Sequence, residues 1–137
     1  MKEDAKFYVG QKAFIKKGDE VLVLGLGGDK IHYPGGKIQI GEIDLKESIK
    51  REVREETGLE IKVGEPFYTW VHILPESHKL AGEQIYLVGY RCEYLSGDVM
   101  LSDEHDKFRW VNKDNYKEID DGSSYFDALD KYFSDYK

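Results

Sequence analysis

One cysteine, Cys92, stands in the 137 residues, so no disulfide can close within the chain. A reducing compartment is the expectation, read here as the cytoplasm. Cys92 lies in a run of strand formers and reads as a small core side chain rather than a nucleophile. Long apolar runs are missing as well. None follows Met1 and none approaches the ~18 residues of a membrane helix, so neither signal peptide nor membrane span is expected. Basic residues are outnumbered, 20 against 27 acidic ones, for a formal net charge of −7. That deficit speaks against nucleic acid held through its backbone and against an anionic membrane surface. A small phosphorylated substrate stays open, because a metal can offset its charge locally. Repeats, low-complexity tracts and linkers are also lacking. What remains is one domain, large enough to bury about two thirds of its unfolded surface. The four histidines, His32, His72, His78 and His105, lack the spacing of zinc ligands. His78 could touch a phosphate, although a plain loop histidine is the stronger reading.

Residues 7–16 and 20–26 are rich in aromatic and β-branched side chains, and Lys17-Gly18-Asp19 between them is turn chemistry, which predicts a hairpin. His32-Tyr33-Pro34-Gly35-Gly36 reads as a glycine-rich loop, where Gly35 and Gly36 would let backbone approach a ligand. From Leu45 to Thr57 the apolar residues Leu45, Ile49 and Val53 recur every fourth position and Gly58 supplies a stop, which predicts a helix. Strands are expected over 59–73, with Pro66 marking a bulge or break, and over 84–94 and 108–111. A closing helix over 123–132 would pack Tyr125, Phe126, Leu129, Tyr132 and Phe133 inward. The sum is a mixed β-sheet core between a central and a C-terminal helix, an α/β/α sandwich.

The central helix carries the chemistry. Glu52, Glu55 and Glu56 fall at i, i+3 and i+4, on one face and within about 6 Å of one another by Cβ. Like charges so placed cost a helix a few tenths of a kcal/mol per pair unless a cation sits among them. A solvated acidic face is the commoner meaning of an acidic run. Here, however, a Gly-Gly turn, a Gly-Glu pair, an arginine and a closing Thr-Gly stand in order around the acids. Three hard oxygen donors suit Mg²⁺, which binds through one or two carboxylates together with waters and substrate phosphates.

In that order the segment resembles the signature of the Nudix hydrolases, G-x5-E-x7-R-E-U-x-E-E-x-G-U with U apolar. Arg51-Glu52-Val53-Arg54-Glu55-Glu56-Thr57-Gly58-Leu59 fits its second half, and Gly36 with Glu42 fits the first. Eight residues rather than seven separate Glu42 from Arg51, and the extra one is expected in the loop around 43–45. The resemblance implies the same α/β/α fold and a MutT-like hydrolase needing Mg²⁺, with Mn²⁺ as a substitute. It implies metal ligation by Glu52, Glu55, Glu56 and the Gly36 carbonyl, with Arg51 and Glu42 orienting the acids. Glu52 is one candidate for the base that activates water. The stretch 102–111 resembles the approach to the last core strand in many Nudix enzymes, which makes Glu104 the preferred distal acid and Glu83 its rival.

For the substrate, Tyr33, Tyr68 and Trp70 offer flat faces to a nucleobase, Tyr33 foremost because it precedes the glycine pair. Strand aromatics are more often core. The expected reaction cleaves a phosphoanhydride of a nucleoside triphosphate-like substrate to a nucleoside monophosphate and pyrophosphate. The expected partner is that small nucleotide alone, and the protein would be a monomer or homodimer. A pyrophosphatase acting on ADP-ribose or another linked nucleoside diphosphate is the rival, for which Pro75 is a faint sign. A ligand-binding Nudix-fold domain without turnover is the other, and the intact acid set speaks against it.

Overall fold

The computed structural model describes residues 2–26, 30–75, 78–103 and 107–135. Strands β1 (Tyr8–Lys17) and β2 (Glu20–Leu24) form the expected hairpin, turning at Gly18 with φ 64°. Strand β3 (Gly35–Lys37) follows, then helix α1 (Leu45–Thr57) and strands β4 (Glu60–Ile73), β5 (Gln84–Ser96) and β6 (Phe108–Val111). A 3₁₀ turn at Tyr116–Ile119 precedes helix α2 (Ser124–Asp135). The six strands make one sheet in the order β4-β5-β1-β2-β6, with β3 also paired to β1. Only β1 and β5 run parallel among the described pairings.

Helix α1 keeps the bounds its periodicity predicts. The Asp44 side chain accepts the Glu47 N–H at its start, and Gly58, left-handed at φ 77°, donates its own N–H to the Arg54 carbonyl at its end. Strand alternation then sends side chains to two cores. Ala13, Ile15, Leu22, Leu24 and Cys92 meet Ile49 and Val53 of α1 on one face. Phe14, Val23, Tyr33 and Leu87 meet Leu129 and Tyr132 of α2 on the other. The arrangement is the expected sandwich of a mixed sheet between two helices. Burial pushes the Cys92 thiol up to about 12, which leaves it an inert core group.

One expectation changes. The segment read as a glycine-rich loop is in part a strand, because β3 pairs with Gly10, Gln11 and Lys12 of β1. The glycines serve the approach of two backbones. A Cβ on Gly35 would lie 1.9 Å from the Gln11 carbonyl oxygen, and its φ is 148°. Gly35→Ala is therefore expected to cost ~3 kcal/mol or more, a fall of roughly 10 °C in Tm by thermal unfolding. A Tm within two degrees of wild type, at about the noise of such a measurement, would mean that β3 is not held against β1.

Candidate active site

Helix α1 packs beneath β3, and the acids on and just before it meet two sets of partners, Arg51 and the β3 glycines, with Glu52 touching both. Arg51 gathers three of them. Its Nη1 lies 3.1 Å from both Glu55 oxygens, and its Nη2 lies 3.1 Å from an oxygen of Glu42 and 3.1 Å from one of Glu52. The cation among these acids is thus a residue of the same helix. Glu42 also accepts the Ser48 hydroxyl at 2.6 Å and the Gln39 N–H at 2.8 Å, and these bonds with Arg51 hold its carboxyl below the usual range. The extra residue before the helix therefore leaves the Glu42–Arg51 contact intact. In the loop ahead of Asp44, Ile40 and Ile43 are exposed.

Glu56 meets the β3 glycines. It is only 8% exposed, and its Oε2 accepts the Gly35 N–H at 3.4 Å. Glu52 lies against the next glycine, since a Cβ on Gly36 would sit 2.8 Å from the Glu52 carboxyl carbon. Burial raises the Glu52 pKa, and the nearby Arg51 charge offsets part of that. Among the described residues no three His, Cys, Asp or Glu side chains converge on one point as a ready metal cage. The donors nevertheless suit a hard divalent cation. Glu56 is a carboxylate withdrawn from solvent, Glu52 is partly so, the exposed Glu55 adds a third, and the bare Gly36 backbone leaves room beside Glu52.

Glu56, Gly35 and Gly36 open onto a cleft of about 750 Å³ on the α2 side of the sheet. Sequence reasoning missed the lysines that line it, Lys12, Lys30 and Lys37. Lys12 carried a readable signal, because it shares the β1 face of Gly10 and Phe14 and so interrupts an inward-facing row. Lys30 is placed by Asp121, whose carbonyl takes the Lys30 ammonium at 3.3 Å and whose carboxylate takes the Ile31 N–H at 3.0 Å. No local pattern announces that ninety-residue link.

Tyr33 is corrected. It is 0% exposed, stacks on Phe14 at 4.0 Å and donates its hydroxyl to the Tyr125 carbonyl at 2.6 Å. With both faces in the core it has none for a base, and burial pushes its pKa well up. Trp70 is core as well, edge-on to Tyr125. His78, read as a loop histidine, accepts the Leu80 N–H at 3.0 Å and stands on the cleft wall. Glu104 lies outside the described residues, as does His105.

The chain matches the family described as NUDIX domain over residues 12–131. It belongs to the Nudix family. This Nudix domain is 27% identical over 117 residues to a nucleoside triphosphatase, NudI, of Klebsiella pneumoniae, a match covering 77% of this chain and 82% of that protein. Among solved structures, the MutT protein of Methanosarcina mazei Go1 superposes with a TM-score of 0.78 at 26% identity, covering 97% of this chain and 96% of that one. A MutT protein of Bacillus halodurans, 24% identical with a TM-score of 0.70, covers 93% of this chain and 82% of its own. That last likeness concerns the fold alone. As a MutT-like member of the family, the Nudix domain is a pyrophosphohydrolase acting on small nucleotides. No helix of the described residues is long and apolar enough to cross a membrane.

Proposed function

We propose that the domain hydrolyses a phosphoanhydride of a nucleoside triphosphate-like substrate, with Mg²⁺ or Mn²⁺ bound, to a nucleoside monophosphate and pyrophosphate. One observation carries the reading: a single cleft joins the buried Glu56 and the glycine pair to three lysines. Polyphosphate needs such a mixture, cations for its own charge and carboxylates for a metal shared with it. Glu52, Glu55, Glu56 and the Gly36 carbonyl would hold the metal, which when bound neutralises developing charge and acidifies a water.

The chain's own groups do the rest. Lys12, Lys30 and Lys37 bind and orient the phosphates. Arg51 keeps Glu42, Glu52 and Glu55 in place, and the Gly35–Gly36 backbone lets the substrate come close. The attacking water bonds to phosphorus while the bridging P–O bond breaks, and its proton passes to a carboxylate. Glu104 is the preferred acceptor on the family resemblance, and Glu52 is the rival. Pro75 on the cleft wall favours the second reading, an ADP-ribose type of substrate.

A panel of nucleoside triphosphates, ADP-ribose and inorganic tripolyphosphate, incubated with Mg²⁺ and resolved by ion-exchange chromatography, tests the choice. Monophosphate and pyrophosphate in equal amounts are expected from the triphosphates. Faster turnover of ADP-ribose would move the assignment to the second reading. Release of orthophosphate and a nucleoside diphosphate from the triphosphates would overturn the proposed bond.

A further inference from the structure

The two ends of the cleft differ in chemistry. At the β3 end stand Lys12, Lys37 and Glu56, while Lys30 reaches the Asp121 carbonyl near the start of α2. At the β4 end Leu74, Pro75 and Ile85 make an apolar wall, and the polar groups beside it include His72, His78 and Ser124. Going from β3 through β1 and β5 to β4 crosses three strand spacings, ~14 Å in all. A substrate filling both ends therefore has an anionic part and, one sugar away, an uncharged part with flat apolar faces and hydrogen-bonding atoms at its edge. That description fits a nucleobase.

We propose that His72, braced by Ser124 and Tyr125, is the residue that contacts the nucleobase, an assignment that rests on the nucleotide reading above. The brace is visible. His72 Nδ1 lies 3.3 Å from the Ser124 hydroxyl oxygen, and the imidazole meets the Tyr125 ring edge-on at 5.3 Å and 75°. Tyr125 is itself fixed at the first turn of α2, where its carbonyl takes the Tyr33 hydroxyl. The buried tyrosine thus reaches the substrate indirectly, by anchoring the wall on which the histidine rests. Burial lowers the His72 pKa and so favours the neutral ring, which does not compete with the lysines for phosphate. A neutral imidazole offers a flat face together with one further ring nitrogen, Nε2, for hydrogen bonding. Ser124 can donate to Nδ1 or accept from it, and so decides which role Nε2 plays.

The test compares wild type with His72→Ala, His72→Gln and Ser124→Ala on nucleoside triphosphates and on tripolyphosphate, with Mg²⁺ and thermal unfolding as a check of folding. His72→Ala should raise KM for the triphosphates about 10- to 100-fold, from loss of one base contact, with kcat held within about threefold. Tripolyphosphate, which has no base, should lose nothing. His72→Gln should recover part of the loss and covers the case in which the alanine variant fails to fold. Ser124→Ala should fall between, because the ring remains but its orientation does not. Unchanged triphosphate KM in folded His72→Ala, or an equal loss with tripolyphosphate, overturns the assignment alone. A wild type that turns over tripolyphosphate as well as any nucleotide overturns the nucleotide reading and this assignment with it.

Discussion

Glu56→Gln is expected to lower kcat at least ~100-fold, because a lost metal ligand removes charge stabilisation worth several kcal/mol in the transition state. Glutamine keeps the size of the side chain and an oxygen able to accept the Gly35 N–H, so β3 stays attached to α1. The fold should hold to within ~1 kcal/mol, since the variant also removes a charge from a position only 8% exposed. Glu55→Gln should lose a similar factor from a different starting point. Its side chain is 59% exposed and tied to Arg51, so the loss could not be put down to a disturbed core. Steady-state kinetics beside a melting curve separates the two contributions. A variant of Glu56 that folds and keeps more than half of wild-type kcat would remove the glutamate from the ligand set.

Chelation is the second large effect. In EDTA the activity should fall below ~1% of its starting value, and excess Mg²⁺ or Mn²⁺ should restore it, because the proposed metal both neutralises developing charge and acidifies the attacking water. Stability should barely follow. Arg51 already neutralises part of the charge on Glu42, Glu52 and Glu55, so the helix does not depend on a metal to hold its acids together. Melting curves with and without EDTA are expected to coincide to within about two degrees. Full turnover in chelator would sink the metal assignment, and a large fall in Tm would mean that the ion is structural.

The sequence shows the parts of this molecule that are local. Helix α1 was readable to the residue, because its apolar period and the Gly58 stop are neighbours in the chain. The bulge at Pro66 was readable too, since proline cannot donate to a ladder, and register shifts flank it on both sides. Tyr33 was misread because standing next to a glycine pair says nothing about which face of the sheet a side chain takes. Its partners, Phe14 and Tyr125, lie nineteen residues before it and ninety-two after. β3 was misread for a related reason. Glycines needed to bring two strands together look the same in sequence as glycines needed for a loop, and only Gln11 across the gap decides. The acids were legible as a set, but their division between Arg51 and the β3 glycines was not.

The irregular course of β4 bears on how the molecule behaves in a crowd. β4 closes one side of the sheet, and past Pro66 its outward side chains include the exposed Val71 and Ile73. A bare, sticky outer strand is a template on which a neighbour's chain can add itself, the first step toward aggregates. The slips at Val63–Pro66 and Pro66–Tyr68, with a proline that has no N–H to offer, break that template into short runs. Glu65 on the same stretch adds an exposed charge. The kinked strand thereby protects solubility as well as shaping the sheet, and Pro66 is the residue at which that protection is concentrated.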